Sequence, residues 1–178
     1  VANGGISTSA TKIFTITVRS VTDAPLFPPG TPVSVNEDSG AYSAVFATGI
    51  DDGDPETTQT VSFVMSNNNN GLFSVQPSID ASTGILTFVP AANANGTAVV
   101  SAYLFDDGGT ASGGVDTSAT QTFVITINSV NDAPSFVTGA NIFVFDEDDT
   151  QTQTNYLTAI SAGSVDEISQ MIQFIVSN

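Results

Sequence analysis

The sequence contains no cysteine, no histidine and no tryptophan, and each absence removes a class of function. Without cysteine no disulfide can form, and without cysteine and histidine the usual zinc, haem and iron–sulfur ligand sets are excluded. Nucleophilic sites of the Ser-His or Cys-His type are excluded for the same reason. No apolar run approaches the length of a membrane-spanning helix, so we expect no direct membrane insertion.

Basic residues are nearly absent as well. Lys12 and Arg19 stand against 18 acidic residues, which gives a net charge of −16. Nucleic acid is excluded as a partner, because phosphate binding needs clustered Lys and Arg. Most carboxylates must therefore face water or share an inorganic cation. The chain has neither an initiator Met nor a signal peptide, and we expect the mature protein to extend beyond it.

Internal repetition is the most informative feature that is present. Residues 2–25 and 111–134 are identical at fifteen of 24 positions, with an offset of 109 residues. Two shorter matches follow in the same order, with small insertions between them: VNED at 35–38 with FDED at 145–148, and VSFVMSN at 61–67 with IQFIVSN at 172–178.

The offset has the size of an independent domain. We therefore predict one complete repeat over residues 26–134, the C-terminal part of a preceding repeat over residues 1–25, and the N-terminal part of a following repeat over residues 135–178. The mature chain is then a tandem array.

Seven short β-rich segments within the complete repeat are separated by Asn, Gly, Pro and Asp turns, and no segment has a helical apolar period. They are Val33–Val35, Ser43–Thr48, Val61–Met65, Leu72–Val75, Ile85–Val89, Ala98–Phe105 and Phe123–Ile127. This pattern predicts an all-β fold of tandem seven-stranded Greek-key β-sandwiches. We expect the loops at 67–71 and 108–114 to close hairpins. The side chains expected to point inward are Phe14, Ile16, Phe63, Phe88, Phe123 and Ile125.

Several motifs occur in a characteristic order. Phe73–Thr87 is similar to the pattern F-x-V…TG-x-I-x-T, Leu104–Gly108 to A-x-D-x-G, and Val130–Pro134 to the linker motif D-x-N-D-x-P. Over the whole repeat the chain thus resembles the cadherin family, and more closely the cadherin-like repeats of large bacterial surface adhesins. The resemblance implies a cadherin-like or immunoglobulin-like sandwich that serves as a structural repeat of an extracellular adhesin, stalk or fibre at a cell surface.

The resemblance also implies Ca²⁺ at the junctions between repeats, held by oxygen ligands from both neighbours. Carried over to this sequence, the first junction would use Asp23, Asp52, Asp54 and either Asp106 or Asp107. The second would use Glu37, Asn131 and Asp132. Two departures predict few ions or weak sites: PAANANG at 90–96 stands where the family has L-D-R-E, and AGSVDE at 162–167 lacks D-x-D.

The chemistry of these residues suits calcium, which prefers six to eight oxygen ligands, several of them carboxylate. Gly53 between Asp52 and Asp54 allows a tight turn that aims both carboxylates the same way. Two alternatives stay open. The acidic loop can be a solvated surface, and Asn131–Pro134 can be a structural turn in which Asp caps backbone amides and Pro fixes the exit direction.

Two functional hypotheses follow, and neither is an enzyme, since no acidic pair is accompanied by an aromatic sugar platform. The first is a structural stalk or fibre whose partners are neighbouring repeats and identical chains. The alternative is a carbohydrate-binding module attached to a secreted surface enzyme, with surface glycans as ligands. That alternative needs an exposed aromatic patch, whereas the three tyrosines (Tyr42, Tyr103, Tyr156) are scattered along the sequence.

Overall fold

The computed structural model describes residues 2–5, 8–142 and 152–177. Within these ranges the regular structure consists of β-strands and short 3₁₀ turns. The strands are β1 (Val33–Asn36), β2 (Tyr42–Val45), β3 (Val61–Asn67), β4 (Phe73–Ile79), β5 (Ile85–Pro90), β6 (Gly96–Asp106), β7 (Gln121–Asn128), β8 (Ser135–Thr138) and β9 (Leu157–Ser161). The 3₁₀ turns are Ala2–Gly4, Asn70–Leu72, Ala111–Gly113 and Val165–Glu167. No helix in the described ranges is long and apolar enough to cross a membrane.

Strands β1 to β7 form two sheets. The four-stranded sheet has the order β1-β7-β6-β3, in which β1 runs parallel to β7 and the other pairs are antiparallel. The three-stranded sheet has the order β2-β5-β4 and is antiparallel. Strands β8 and β9 pair in a separate sheet. The prediction of an all-β fold is confirmed, and a strand occurs at each of the seven segments predicted from the pattern.

One apolar core lies between the two larger sheets. Strand β6 alternates buried and more exposed side chains along its length, as expected for a strand with one face on a core. Leu104 and Ile125 of the four-stranded sheet and Leu86 of the three-stranded sheet are completely buried. Phe46, which follows β2, packs on Phe123 of β7 with ring centroids 4.2 Å apart. Side chains from both sheets thus make one continuous cluster.

One of the two predicted hairpin loops has a different role. Residues 67–71 connect β3 to β4, which belong to different sheets, so this loop crosses between the sheets. Leu72, at the end of its 3₁₀ turn, is buried and anchors the crossing in the core. Residues 108–114 do lie between two adjacent antiparallel strands, β6 and β7, as predicted.

The expectation that Phe14 and Ile16 point inward is wrong. Their side chains are 80% and 75% exposed, and residues 8–21 contain no strand. No strand among the described residues pairs with this segment, so it has no sheet there in which to bury a face. Phe88, Phe123 and Ile125 are buried as predicted. Phe63 is partly buried and packs edge-on against Phe27.

The segment after β7 is only partly covered. Phe136 of β8 and Phe174 pack edge to face at 5.5 Å, but most side chains of residues 152–177 are exposed or half-buried. The FDED motif at 145–148 lies outside the described residues.

Candidate metal centre

The acidic candidates lie at the two opposite ends of the unit formed by β1 to β7. Val61, at the start of β3, pairs with Asp106 at the end of β6, so the loops before β3 and after β6 meet at one end. Gly96, at the start of β6, pairs with Ile127 near the end of β7 at the other end. We call the first end, with linker residues 22–25, the first junction. The second end, with linker residues 129–134, is the second junction.

At the first junction the Asp52-Gly53-Asp54 turn is closed by its own carboxylates. The Asp54 amide donates to Asp52 Oδ1 at 3.3 Å, and Asp54 Oδ1 accepts from the amides of Glu56 and Thr57 at 2.9 and 3.1 Å. Gly53 has φ +77°, the left-handed region that glycine enters most easily. Asp54 is consequently only 8% exposed, although it lies in an acidic loop.

Gln59 links these two carboxylates, and the sequence argument did not single it out. Its backbone amide donates to Asp52 Oδ2 at 2.6 Å, and its side-chain amide donates to Asp54 Oδ2 at 2.7 Å. The repeat does contain a signal for this glutamine. Gln170 lies two positions before IQFIVSN, just as Gln59 lies two positions before VSFVMSN. A glutamine here ties the loop together and supplies a neutral carbonyl oxygen to the same end.

Asp106 and Asp107 lie against this loop. Asp107 Oδ1 accepts from the Thr60 amide at 2.8 Å, and Asp106 Oδ1 accepts from the Gly108 amide at 2.9 Å. Asp106 is completely buried, yet its Oδ2 has no hydrogen-bond partner, and neither does the buried Oε1 of Gln59. Buried acceptors are nearly always satisfied, so these two oxygens are available to accept from a bound donor or to ligate a cation.

The first linker docks on this end through its backbone. Leu26 and Asp51 exchange two backbone hydrogen bonds of 2.9 and 3.0 Å, and Val115 donates to the Thr22 carbonyl at 2.9 Å. A Cβ at Gly53 would lie 3.3 Å from the Asp23 carbonyl oxygen and closer still to that of Ala24. The Asp23 side chain itself is exposed. Asp52, Asp54, Asp106 and Asp107 therefore lie in loops at one end of the unit, and the backbone of Asp23, not its carboxylate, lies against the turn.

A cavity of about 470 Å³ opens between the first linker and these loops. Asp54, Gln59 and Asp107 line one part of it, and Arg19 and Thr22 line another. Arg19 is one of only two basic residues in the chain. The cavity is large enough for a hydrated ion, and its walls offer oxygen ligands from both the unit and the linker.

Glu37 organises the second junction. It follows β1 directly, and its amide continues the β1–β7 ladder by donating to the Asn128 carbonyl at 2.9 Å. Its side chain is 2% exposed, and Oε1 accepts from the Val130 amide at 2.6 Å, while Oε2 is buried without a partner. Asn131 is exposed and donates to the Asp132 carbonyl. Glu37 thus bonds a linker amide, and the Asn131 side chain donates within the linker. Their role as calcium ligands, together with Asp132, stays a prediction.

Glu167 was missed at this junction. It is 5% exposed, Oε1 accepts from the Asp132 amide at 2.7 Å, and Oε2 is buried without a partner. Its neighbour Asp166 accepts from Asn95 Nδ2 at 2.9 Å. AGSVDE at 162–167 lacks D-x-D, but its two adjacent carboxylates, in a loop equivalent to 51–56, are a signal for this residue.

The residues present fit a hard cation in their chemistry and only partly in their arrangement. Within the described residues, no three carboxylates converge closely enough to hold a metal between them. Carboxylate oxygens of Glu37, Asp106 and Glu167 are nevertheless buried without partners, and oxygen ligands are those that calcium prefers. An ion bound there would neutralise these charges and cross-link linker and loops. That calcium binds stays a prediction.

No protein-family model and no curated protein matches the chain. Two solved structures from Bacteroides fragilis are similar to part of it, and their names give them provisionally as an alpha-galactosidase/melibiase and an alpha-galactosidase. The alignment with the first structure has 18% identity and a TM-score of 0.36, and it covers 61% of this chain and 18% of that structure's chain. The alignment with the second has 17% identity and a TM-score of 0.34, and it covers 63% of this chain and 19% of that structure's chain. The chain thus spans less than a fifth of either neighbour, and likeness at this level bears on neither fold nor function.

Proposed function

We propose that the chain is a structural repeat module of a long extracellular bacterial adhesin, stalk or fibre. In this proposal residues 26–134 form one cadherin-like Greek-key sandwich, flanked by neighbours of the same kind whose linkers are stiffened by calcium. The support from the fold is that seven strands in two sheets share one core within these residues, with β1 parallel to β7.

The observation that carries the proposal is the distribution of charged side chains between the strands and the loops. Among the residues of β1 to β7, Asp106 is the only charged one, and it is the last residue of its strand. The acidic side chains are in the loops, and those with buried, unpartnered oxygens lie where the two linkers attach. Uncompensated charge collected at the points of contact between units favours a shared cation there.

Calcium should change the stiffness of the array more than the stability of a unit. Extracellular sites of this kind bind in the range of about 10⁻⁴ to 10⁻³ M. At millimolar calcium, one such site adds only about 0.4–1.4 kcal/mol to the free energy of unfolding. Without the ion, however, several carboxylates repel one another across a short linker, so the joint should loosen.

The test uses a protein that spans at least two whole repeats, measured by small-angle scattering with millimolar calcium and with chelator. We expect a rigid rod in calcium and a flexible chain in chelator. The double change Asp52→Asn and Asp54→Asn should remove the difference and leave the β signal in circular dichroism intact. Asp80→Asn, in the turn between β4 and β5, is the matched control and should leave the difference unchanged. Identical rigidity and melting temperature with and without chelator would refute the calcium part of the proposal.

One observation favours the carbohydrate-binding alternative. Tyr103 and Phe105 lie on the outward side of β6, with buried Leu104 between them. Phe105 is 41% exposed, and Tyr103 pairs with exposed Val64 of β3. An uncharged aromatic pair on a sheet face can stack on a sugar ring. A glycan array run with the intact chain and with Tyr103→Ser plus Phe105→Ser tests this. Binding that is lost in the variant would favour the alternative. An array without signal would leave the structural role as the remaining hypothesis.

A further inference from the structure

We propose that the unit formed by β1 to β7 bears tension along the chain, and that the pairing of β1 with β7 is the element that resists it. We call the contacts between residues 33–37 and 125–130 the mechanical clamp. The inference rests on the proposed function, because a stalk or fibre is pulled through the linkers that join its units. It adds a load-bearing role inside one unit and assigns that role to particular contacts.

The chain enters and leaves the unit at opposite ends, on two strands that are parallel neighbours. Strands β1 and β7 both run from the first junction towards the second, and they pair over four positions, from Val33 with Ile125 to Asn36 with Asn128. Tension between the two linkers therefore pulls β1 and β7 in opposite directions along their own length. The evenly spaced backbone bonds of a parallel pair are then loaded together in shear, and they do not open one after another.

Strand β1 depends on this pair for its place in the sheet. It is an edge strand, so β7 is its one neighbour in the four-stranded sheet. Val33 is buried and Val35 is partly buried against the core, and their partners in β7 are the buried Ile125 and Ile127. Sliding of β1 past β7 would move these side chains off the core as well as break hydrogen bonds. The resistance thus has an apolar part.

One side chain bonds directly across the pair. Asn128 Nδ2 donates to Ser34 Oγ at 3.1 Å and to Asn36 Oδ1 at 3.3 Å, and an amide nitrogen has a hydrogen for each bond. Ser34 lies two residues before Asn36, the position that pairs with Asn128, so the bond to Ser34 slants along the strands. Tension moves Ser34 and Asn128 apart along this direction and therefore stretches that bond.

The mechanical clamp continues past the end of β1. The Glu37 amide donates to the Asn128 carbonyl at 2.9 Å, and Glu37 Oε1 accepts from the Val130 amide at 2.6 Å. Glu37 is buried, where a hydrogen bond to a charged group is stronger than in water. Val130 is the second residue of the second linker. Tension that arrives through that linker consequently loads the bond to Glu37 before it reaches β7.

The experiment pulls single molecules of the full chain by handles at its two ends, at constant force and in millimolar calcium. Opening of residues 26–134 is recognised by a length gain of roughly 30–35 nm, and its rate is the unfolding rate under load. Asn128→Ala removes both side-chain bonds and should raise this rate at least about five-fold.

Asn67→Ala is the matched control. Asn67 also ends a strand and bonds another strand through Nδ2, which donates to Gln76 Oε1 at 2.9 Å, but it lies outside the mechanical clamp. Under end-to-end load this variant should unfold within about two-fold of the rate of the unaltered chain, because its bond is not between β1 and β7. The mechanical clamp is overturned if the two variants change the rate equally.

The direction of pulling separates load bearing from general stability. The chain contains no cysteine, so Ser82→Cys and Thr110→Cys provide handles in a turn of each sheet. Force between these turns separates the sheets and does not shear β1 against β7. With these handles the unit should open at lower force, and Asn128→Ala should have less than about a two-fold effect. An equal effect of Asn128→Ala in both directions would overturn the mechanical clamp, yet leave the calcium-dependent linkers, which scattering tests, standing. An effect confined to end-to-end load supports the mechanical clamp even where the two-repeat rod does not respond to calcium.

Discussion

Two segments of this chain are equivalent in sequence position and lie in opposite environments. Residues 12–19 and 121–128 occupy the same place in the repeat. Phe123 is 5% exposed and its counterpart Phe14 is 80% exposed, while Ile125 is 0% exposed and its counterpart Ile16 is 75% exposed. The second segment is strand β7, bonded to β1 on one side and β6 on the other, whereas the first pairs with none of the strands that the structure describes.

The difference shows what a strand of this type needs. Ordering the backbone costs about 1–2 kcal/mol per residue, and alternation of apolar and polar residues does not offset that cost alone. Burying a Phe or Ile side chain contributes about 1.5–3 kcal/mol, but only where a core exists to receive it. The two neighbouring strands, and the opposite sheet behind them, decide which copy of the sequence folds.

The largest expected difference is in hydrogen exchange. In the 178-residue chain, amides of residues 121–128 should exchange at least about a thousand-fold more slowly than those of residues 12–19, because β7 opens only with the unit. Exchange monitored by NMR at Phe123 and Phe14 compares equivalent positions. Strong protection at Phe14 in a monomer would show that local sequence suffices. Protection gained when a preceding repeat is added would show that the missing strands were the cause.

Truncation of the two phenylalanines sharpens the same comparison. Phe123→Ala should lower the free energy of unfolding by about 3–5 kcal/mol, because it leaves a cavity beside Phe46. Phe14→Ala should change it by less than about 0.5 kcal/mol, as at other exposed positions. Urea unfolding of the full chain measures both. Similar losses in the two variants would mean that Phe14 packs against the unit in solution.

Docking of the first linker (residues 22–25) on the unit is tested at Gly53. Both Gly53 and Gly40 have positive φ, but a Cβ at Gly40 meets open space, whereas one at Gly53 would meet the carbonyls of Ala24 and Asp23. Gly40→Ala should cost about 1 kcal/mol from backbone strain. Gly53→Ala should cost about 2–3 kcal/mol and displace the linker. Faster exchange at Val115, which donates to Thr22, reports that displacement. Equal behaviour of the two variants would contradict linker docking on this turn.

Much of the fold could be predicted from the sequence, since each strand of the unit carries a local signal of its own. The strands with which a segment pairs are distant in sequence, so a local pattern does not identify them. For this reason Phe14 and Ile16 were predicted to be buried and are in fact exposed. The loop at 67–71 shows the same limit: four asparagines and a glycine indicate a turn. Whether the chain then returns to the same sheet or crosses to the other depends on which core receives Leu72.

The candidate site could be predicted less completely. Charge pattern and the family resemblance placed Asp52, Asp54 and Glu37 at the ends of the unit, where the structure has them. Glu167 and Gln59 were not found, because their importance lies in which backbone amides they reach. Glu167 bonds a linker amide 35 residues away, and nothing in the letters AGSVDE specifies that contact.

The smallest expected effect is a pH dependence confined to the unit. Hydrogen bonds from the side chains of Ser82 and Thr83 lower the pKa of Asp80 from 3.8 to about 2. Since the folded pKa is the lower one, this carboxylate stabilises the unit above about pH 4, and that contribution is lost as the pH falls towards 2. Asp80 is fully exposed, so the change should be slight and weaker at high salt. Asp80→Asn should flatten the dependence of unfolding on pH between 4 and 2. Residues 12–19 should not respond, because they contain no carboxylate and no strand. If the unaltered chain and the variant lose stability in parallel over that range, the turn at Asp80 does not contribute, and other carboxylates account for the acid sensitivity.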